Sequence, residues 1–366
     1  MRGRYRVIHI VHLLLLPLAI VTAQREQPGN IIFMIGDGMG TGQLSALVLA
    51  KPGAAVLEFP VAGLSATQSA THFVTESAAG GTALSTGYRT NNASVGLRSD
   101  GKPAQTLLEF ARDLGKAVGV IATSSVTHAT PASFLAHVSS RKLEFDIAEQ
   151  MAASGADVIF GGGRQWFLPE GQGGKRTDGR NLLSEMQNKG YTVSVTQNPP
   201  ADGSDKAIWL TANDGTAPAP GRKPTSAEML GEALRLLSKK EHGFVLMLEG
   251  SQIDWACHDN DFARTRDELL DFDNAVRIAL DFAAKDGNTL IVVTADHETG
   301  GLGVMGTNPD GSDMQGQWLH KEHSGGLVPV LAYGPGAERF GGIQRNDELA
   351  RKLFHCLGDK AFEGTP

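Results

Sequence analysis

The sequence is poor in cysteine, since its 366 residues include only Cys257 and Cys356. Two cysteines are too few for a disulfide-stapled scaffold, and the sequence leaves open whether they pair. Internal repeats are also lacking, which argues against a solenoid or a propeller. No Gly-x-Ser-x-Gly segment is present, which disfavours a hydrolase triad on a nucleophile elbow. A formal net charge of −7 argues against nucleic acid as the main partner.

One long apolar run is present, at the start of the chain. Residues 7–21 are mostly apolar, three arginines precede them, and the small residue Ala23 follows. This pattern is typical of a secretory signal peptide. A retained membrane anchor is the alternative, but about 15 residues are short for a span that needs about 20. We therefore predict a signal peptide at 1–23, no stable membrane span after its cleavage, and export of a single domain at 24–366 to the periplasm or the extracellular medium.

Short apolar runs and helical patterns alternate along the rest of the chain. The strand candidates are residues 31–35, 118–122, 157–160, 244–248, 289–294 and 327–332, and the helical patterns are 104–114, 227–237 and 265–283. This alternation predicts an α/β fold with a large, mostly parallel central sheet and helices on both faces. Residues 161–180 and 198–225 are dense in turn-forming residues, so we interpret them as surface loops inserted in one domain.

Polar clusters directly follow three of the strand candidates. A Gly-Asp-Gly-Met-Gly segment at 36–40 follows the first, Glu249 and Asp254 follow the fourth, and Asp296 and His297 follow the fifth. Because ligands bind beyond the carboxyl ends of parallel strands, these clusters are expected to meet at one edge of the sheet.

Two histidines and their neighbours have the spacing or the ligand chemistry of a metal site. Asp254 and His258 are four residues apart, which places them on one face of a helix, although an exposed pair would have the same spacing. His323 lies in a loop that enters the last strand candidate, and His320 competes with it as a ligand. Mixed imidazole and carboxylate ligands suit zinc, whereas an all-oxygen set of Asp37, Thr130 and Glu249 suits magnesium.

Ser77, Thr130 and Arg141 each have a purely structural interpretation beside the functional one. Ser77 would be either a helix N-cap or a hydroxyl activated by the positive end of a helix dipole. Thr130 precedes a proline, as an N-cap residue often does. For Arg141, spacing alone does not distinguish a functional side chain from a solvated surface charge.

The sequence resembles the alkaline phosphatase family along nearly the whole chain after residue 23. Seven segments match in order: Gly36-Asp37-Gly38-Met39-Gly40, Glu76-Ser77-Ala78-Ala79, Thr127-His128-Ala129-Thr130-Pro131, Ser139-Ser140-Arg141-Lys142, Glu249-Gly250-Ser251-Gln252-Ile253-Asp254, Thr294-Ala295-Asp296-His297 and His323-Ser324-Gly325. Seven ordered matches are far more specific than any one of them. Residues 24–366 would then form a single catalytic domain of a phosphomonoesterase.

The resemblance implies two zinc ions and one magnesium ion per chain. One zinc would be held by Asp254, His258 and His323, the other by Asp37, Asp296 and His297, and the magnesium by Asp37, Thr130 and Glu249. Ser77 would attack phosphorus to form a phosphoserine that water then hydrolyses, while Arg141 grips the phosphoryl oxygens. The implied substrates are phosphate monoesters with many leaving groups, inorganic phosphate would bind as the product, and the implied assembly is a homodimer.

Four features depart from the pattern of the family. Glu76 stands before the nucleophile where aspartate is usual, so its contact with Arg141 is expected to change. His128 and Trp255 stand where some members carry an aspartate and a basic residue, and we expect His128 to weaken magnesium retention. The stretch between His297 and His323 is short, which predicts reduced crown insertions. The competing functions are a phosphodiesterase-type relative of the same superfamily and a non-catalytic phosphate- or metal-binding protein.

Overall fold

The structure is a computed structural model that describes residues 27–201, 203–308 and 311–359. The predicted signal peptide at 1–23 lies outside these residues. Within the described ranges, no helix has the length and apolar character needed to cross a bilayer.

A ten-stranded sheet forms the centre of the fold, in the order β14-β2-β13-β8-β1-β7-β3-β4-β6-β5. The described strands are β1 (Asn30–Gly36), β2 (Val61–Ala66), β3 (Ala117–Ser125), β4 (Val158–Gly162), β5 (Thr192–Ser194), β6 (Ala207–Leu210), β7 (Phe244–Gly250), β8 (Thr289–Thr294), β9 (Glu298–Thr299), β10 (Gly303–Met305), β11 (Gln315–Gln317), β12 (His323–Ser324), β13 (Val328–Tyr333) and β14 (Gly342–Arg345). The strands β9 to β12 lie outside the central sheet. Within the ten-stranded sheet, only β13 runs antiparallel to its neighbours, β2 and β8. The predicted mostly parallel sheet is confirmed.

Helices cover both faces of the sheet, as predicted. They are α1 (Thr41–Ala50), α2 (Ser77–Thr86), α3 (Leu107–Asp113), α4 (Ala129–Ala132), α5 (Glu144–Ala153), α6 (Leu182–Asn188), α7 (Ser226–Leu237), α8 (Gln252–His258), α9 (Phe262–Asp286) and α10 (Asn346–Cys356). Alternate residues of β1 enter two different cores, with Phe33 in one and Met34 in the other. A strand buried on both faces therefore needs the continuous apolar run from which it was predicted.

The interpretation of residues 198–225 as a surface loop is wrong in part. This stretch contains β6, all four residues of which are buried. Its high content of turn-forming residues concealed a four-residue apolar segment, which is near the minimum length of a strand. The half-exposed strand β2 was also missed, because its residues do not form a continuous apolar run.

The region between His297 and His323 is small. The regular structure in its described part consists of two small antiparallel sheets, β10 paired with β11 and β9 paired with β12. This agrees with the predicted reduction of the crown insertions. Cys257 and Cys356 are both buried and both free, which answers the open question of their pairing.

Candidate active site and metal-binding clusters

The carboxyl ends of neighbouring strands bring the polar clusters together. The order β8-β1-β7-β3 places Asp296 after β8, Asp37 after β1 and Glu249 near the end of β7 side by side. Three groups have candidate ligand atoms within 4.8 Å of one another: Asp254 with His297 and His323, Asp37 with Asp296 and His297, and Asp37 with His128 and Glu249.

Asp254 of the first group lies on the short helix α8 together with His258, and His323 lies at the start of β12. Asp254 Oδ2 is 3.3 Å from His258 Nε2, and Asp254 Oδ1 is 3.6 Å from His323 Nε2. The two imidazole Nε2 atoms are 3.1 Å apart. His258 and His320 both lie outside the three groups, but His258 has these close contacts with Asp254 and His323. His320 Nδ1 instead accepts from the N–H of Glu322.

The second group is completely buried. His297 Nε2 lies 3.3 Å from Asp37 Oδ1 and 3.3 Å from Asp296 Oδ2. The same nitrogen is 3.3 Å from the hydroxyl of Ser77. The backbone N–H groups of Gly38 and His297 donate to Asp296 Oδ1, which fixes that carboxylate and leaves its other oxygen directed at the imidazole.

The tautomers of the three histidines follow from their Nδ1 contacts. His258 Nδ1 donates to the carbonyl of Lys321, and His323 Nδ1 donates to the carbonyl of Thr75 at 3.0 Å. The Thr299 hydroxyl donates to Asp254, so it accepts from His297 Nδ1 at 3.2 Å. The Nε2 lone pairs of the neutral His297 and His323 therefore face carboxylates, an arrangement that a cation between them makes favourable. His258 Nε2 instead faces Asp254 as a donor, because its hydrogen bond with that carboxylate raises the pKa of the ring to about 9.

These orienting groups were not found by sequence reasoning. Thr299 lies in the turn that follows Asp296 and His297, and the two carbonyls belong to residues with no distinctive side chain. A backbone acceptor leaves no mark in the sequence. The role of Thr299 could have been predicted from the sequence, because the histidine ligands of metal ions usually donate their other ring N–H to a nearby acceptor.

Five buried oxygen atoms of the site have no hydrogen-bond partner among the described residues: Asp37 Oδ1 and Oδ2, Thr130 Oγ1, Glu249 Oε1 and Asp296 Oδ2. Buried polar atoms are nearly always satisfied, because an unpaired one costs about 1–3 kcal/mol. Oxygens from carboxylate and hydroxyl groups are the ligands that magnesium and other hard cations prefer. The residues present therefore fit bound divalent ions.

The interpretation of Thr130 as a helix cap is wrong. His128 occupies the N-cap position of α4, and Thr130 lies inside the helix. The Thr130 hydroxyl lies near Glu249, where it opposes the rise in the pKa of that carboxyl without a well-directed hydrogen bond. Its side chain is fully buried and free for another partner.

Ser77 begins helix α2, but it does not cap the helix. Glu76 is the N-cap, and its carboxylate accepts from the N–H groups of Ala78 at 3.0 Å and Ala79 at 2.8 Å. The cap interpretation of Ser77 is therefore wrong, and its hydroxyl remains free to face His297. Ser77 is buried at the positive end of the helix dipole, where negative charge on an alkoxide or a phosphate is stabilised.

Arg141 is held on both sides of its guanidinium group. Nη1 donates to Glu76 Oε2 at 2.7 Å, and Nη2 donates to His128 Nε2 at 2.9 Å. Trp255 lies edge-on to the His128 ring at a centroid distance of 5.9 Å. The side chain of Arg141 is 24% exposed, so it is not a solvated surface charge. The N–H groups that these contacts leave over are available to phosphoryl oxygens.

Burial and like charge dominate the electrostatics of the carboxylates. Burial and the charge of Asp296 raise the pKa of Asp37 well above its usual value. Burial likewise raises the pKa of Glu249 and of Asp296 to about 7. Carboxyl groups that cannot all ionise in this environment need positive charge from outside the protein to do so.

The histidines of the site differ in the direction of their pKa shifts. Burial lowers the pKa of His297 and of His323 to about 4, which keeps both rings neutral. The hydrogen bond with Asp254 raises the pKa of His258 to about 9. Burial lowers the pKa of His128 to about 3, so its Nε2 accepts from Arg141.

Comparison with known proteins identifies the family to which this site belongs. Residues 29–316 match the family model for alkaline phosphatase. The chain belongs to the alkaline phosphatase family. Family membership makes it a phosphomonoesterase hydrolase, and the clusters of candidate ligands agree with the metal dependence of the family.

Relatives of known name cover nearly the whole chain. Alkaline phosphatase 4 of Bacillus subtilis is 32% identical, with 90% of this chain and 88% of the relative aligned. Alkaline phosphatase of Escherichia coli is 33% identical, with 90% and 86% aligned. The first alignment spans 416 positions, more than the 366 residues of this chain, so that relative carries segments that this chain lacks.

A solved structure matches closely in size as well as in fold. The alkaline phosphatase from the Antarctic bacterium TAB5 superposes with a TM-score of 0.85 at 37% identity, and the match covers 91% of this chain and 99% of that one. The absence of long insertions is thus shared with this solved relative.

Proposed function

We propose that the protein hydrolyses phosphate monoesters with broad leaving-group specificity through a phosphoserine at Ser77. The observation that carries the proposal is the convergence of the His297 and His323 lone pairs and five buried oxygens, which have no hydrogen-bond partner among the described residues, beside one serine hydroxyl. Simple phosphate binding would not require this convergence, since an arginine and a helix N-terminus suffice for it.

The proposed cofactors are two zinc ions and one magnesium ion. Asp254, His258 and His323 would hold one zinc, Asp37, Asp296 and His297 the other, and Asp37, Thr130 and Glu249 the magnesium. When bound, these ions would supply the positive charge that offsets negative charge on the attacking, leaving and phosphoryl oxygens. Two variants of the TAB5 enzyme, with aspartate or glutamate in place of a histidine, contain Mg in a site called M3. We propose that His128, which contributes no oxygen, weakens magnesium retention here.

The residues of the chain perform the remaining steps. Ser77, placed by the Glu76-capped start of α2, directs its oxygen at phosphorus. The bond from phosphorus to the alcohol oxygen breaks as the bond to Ser77 Oγ forms, and the proton that Ser77 loses balances the proton that the departing alcohol gains. Arg141, held by Glu76 and His128, binds two phosphoryl oxygens in its planar fork and limits rotation of the group. Water then attacks the phosphoserine from the side that the alcohol has left. Two inversions give retention of configuration at phosphorus.

Phosphate release from an aryl phosphate, measured before and after chelation, tests the proposal. We expect chelation to abolish turnover, and zinc and magnesium added back separately to restore it to different extents. Ser77→Ala should abolish turnover without loss of metal. A phosphate diester at equal concentration should be hydrolysed far more slowly than the monoester, and the opposite order would favour the phosphodiesterase-type relative. Binding of phosphate and metal without any turnover would favour the non-catalytic alternative.

The proposal extends to the location, the domain organisation and the assembly of the enzyme. We infer that residues 1–23 are a cleaved signal peptide, that residues 24–366 form one catalytic domain, and that the protein acts outside the cytoplasm as a homodimer. The basic start and apolar run of the first 23 residues support the export. N-terminal sequencing of the secreted protein and sedimentation equilibrium would test the two inferences separately.

A further inference from the structure

His323 enters the candidate metal cluster from a very short sheet, the pairing of β12 with β9. The two strands pair over two residues, with Thr299 opposite His323 and Glu298 opposite Ser324. Residues opposite each other share one face of a sheet, and neighbours along a strand point to opposite faces. One face therefore carries His323 and Thr299, and the reverse face carries Glu298 and Ser324.

The register of this short sheet decides where His323 lies. A slip of one residue would move every side chain of β12 to the other face. A two-stranded pairing is at best marginally stable on its own, and this one is only two residues long. The contact of His323 Nδ1 with the Thr75 carbonyl orients the ring, but it does not set the register of the strand.

Glu298 joins the two strands on the reverse face. Its Oε2 accepts from the hydroxyl of Ser324, and its Oε1 accepts from the N–H of Gly301 at 2.8 Å. The Ser324 hydroxyl in turn accepts from the N–H of Gly326 at 3.2 Å. One carboxylate therefore fixes the turn that follows β9 and, through Ser324, the strand that carries His323.

Gln43 connects the same carboxylate to two helices. Its fully buried amide lies on α1, and its Nε2 donates to Glu298 Oε1 at 3.4 Å and to the Thr299 carbonyl at 2.7 Å. The same nitrogen is 3.5 Å from Cys257 Sγ on α8, and Cys257 directly precedes His258. The hydrogen-bond network of Glu298 thus extends to the helix that carries His258.

Glu298 is buried without belonging to any of the three groups of candidate ligands. Its residue is 6% exposed, and burial of a carboxylate is costly unless hydrogen bonds compensate for it. A Cβ atom on Gly40 would lie 2.2 Å from Cγ of Glu298, so glycine is needed there for this close approach. Because the side chain lies outside the ligand groups, its hydrogen bonds to the strand of His323 are what explain its position.

The ligands proposed for zinc form two sets that differ in exposure. The outer set is Asp254, His258 and His323, and the inner set is Asp37, Asp296 and His297. The side chains of His258 and His323 are 34% and 15% exposed, whereas the inner set is completely buried. Only the outer set has a ligand on β12, so loss of the contact between Glu298 and Ser324 should weaken the outer set and spare the inner one.

We propose that Glu298 is a positioning residue, which places His323 through Ser324 and thereby sets the zinc affinity of the outer set. This inference rests on the proposed function, because zinc is the ion proposed for that set. The carboxylate acts through the register of β12 and not by contact with the ion or the substrate. Loss of a contact that orients a metal ligand typically lowers metal affinity by about 10- to 100-fold.

Zinc titration against a competing chelator, in wild type and Ser324→Ala, tests the proposal. We expect one of the two zinc affinities to fall about tenfold in Ser324→Ala and the other to stay unchanged. Ser324→Thr keeps the hydroxyl and should restore both affinities. In the background of His258→Ala, which removes a ligand of the outer set, Ser324→Ala should have no further effect on the zinc that remains.

Ser154→Ala is the matched control. The Ser154 hydroxyl lies at the end of α5, donates to the Met151 carbonyl at 2.7 Å and accepts from the N–H of Ala156 at 3.2 Å. It therefore has the same pattern of contacts as Ser324, with a donated bond and a bond accepted from the residue two positions later. Its loss should leave both zinc affinities unchanged.

Two variants of Glu298 separate the hydrogen bonds of this side chain from its charge. In Glu298→Gln, an oxygen remains for the N–H of Gly301, and the new amide N–H can donate to the Ser324 hydroxyl. We therefore expect a smaller fall in the affinity of the outer set than in Glu298→Ala, which removes both contacts.

Turnover of an aryl phosphate separates a weakened metal set from a damaged fold. Ser324→Ala should be less active than wild type at low free zinc and should reach the wild-type kcat at saturating zinc. Unchanged affinities in Ser324→Ala, or an equal fall of both, would overturn the positioning role and leave the proposed function intact. A wild-type protein that binds no zinc would overturn the proposed function, and this inference with it.

Discussion

Two buried clusters of charge in this protein differ in how completely the chain itself satisfies them. The first joins Arg222 to Glu268 and Asp271, with both ion-pair distances at 2.6 Å. The second is the group of carboxylates around Asp37 and Asp296. Both are almost fully removed from water. Only the first contains a cation of its own.

Every nitrogen of the Arg222 guanidinium group has a protein partner. Nε donates to the Thr216 hydroxyl at 3.0 Å, and the two Nη atoms donate to Glu268 and Asp271. The N–H of Ala219 donates to the other oxygen of Glu268 at 2.9 Å. This cluster fixes the loop before α7 against α9, so its role is structural.

The carboxylates around Asp37 and Asp296, by contrast, have oxygens without a hydrogen-bond partner among the described residues. Asp37 has two unpaired oxygens, and Glu249 and Asp296 have one each. The contrast teaches that burial of charge alone does not reveal function. What distinguishes the functional cluster is that the chain leaves its hydrogen bonds and charge incomplete, in positions that a cation would complete.

The largest expected effect comes from Asp37→Asn. Asp37 belongs to two of the three metal groups, so its loss should lower kcat/KM by about three orders of magnitude or more. In chelator, the same variant should be at least as stable as wild type, because it replaces a buried carboxyl whose two oxygens have no hydrogen-bond partner among the described residues. Urea denaturation with and without zinc would measure this. A variant that is less stable in chelator and still active would contradict the contrast.

Arg222→Met should lower the stability of the fold, which Asp37→Asn is expected to leave intact in chelator. It leaves Glu268 and Asp271 buried without a counter-charge, so the free energy of unfolding should fall by about 3–5 kcal/mol, with or without metal. The matched control is the triple variant in which Glu268→Gln and Asp271→Asn accompany Arg222→Met, and it should recover much of the stability. Urea denaturation of both variants is the measurement, and an unchanged midpoint in the single variant would show that the cluster is not structural.

Thr130→Val should affect metal binding and spare the fold. The Thr130 hydroxyl has no hydrogen-bond partner among the described residues, so the nearly isosteric valine should leave the free energy of unfolding in chelator unchanged. Magnesium affinity of the zinc-loaded protein, measured by titration calorimetry, should fall about tenfold or more. Thr265→Val is the control, because the Thr265 hydroxyl donates to the Asp261 carbonyl. It should cost about 1 kcal/mol of stability and leave magnesium affinity intact.

Glu76→Asp should have the smallest effect. Glu76 reaches three backbone N–H groups, including that of Ala93 at 2.7 Å, and Arg141 as well. The shorter aspartate should still cap α2, but it should shift Arg141 and change kcat a few-fold while the fold stays intact. Identical steady-state kinetics for the two forms would show that the placement of Arg141 does not depend on this carboxylate.

The same contrast explains how much the sequence could reveal. The strands β1, β7 and β8 were predictable because burial on both faces demands continuous apolar runs, and the polar residues at their ends were predictable from the geometry of parallel sheets. The Arg222 cluster was not predictable, because Arg222 lies 46 residues from Glu268 and 49 residues from Asp271 and the three match no pattern. A contact between distant segments leaves no local mark.

The capping of α2 shows a different limit. Serine is a better N-cap than glutamate by propensity, so a capping role for Ser77 was one of the two interpretations that the sequence left open. In the structure Glu76 caps the helix, and its carboxylate is also held by Arg141 and by the N–H of Ala93. Tertiary contacts thus outweigh local preference at this helix start, and they leave the Ser77 hydroxyl free to face His297.

Metal content tests the central claim most directly. The purified protein would be dialysed against metal-free buffer and measured by plasma mass spectrometry, beside Asp37→Asn. We expect about two zinc ions per wild-type chain, at most one magnesium ion, and clearly less metal in the variant. A wild-type protein that hydrolyses phosphate monoesters while it binds no divalent ion would contradict the account.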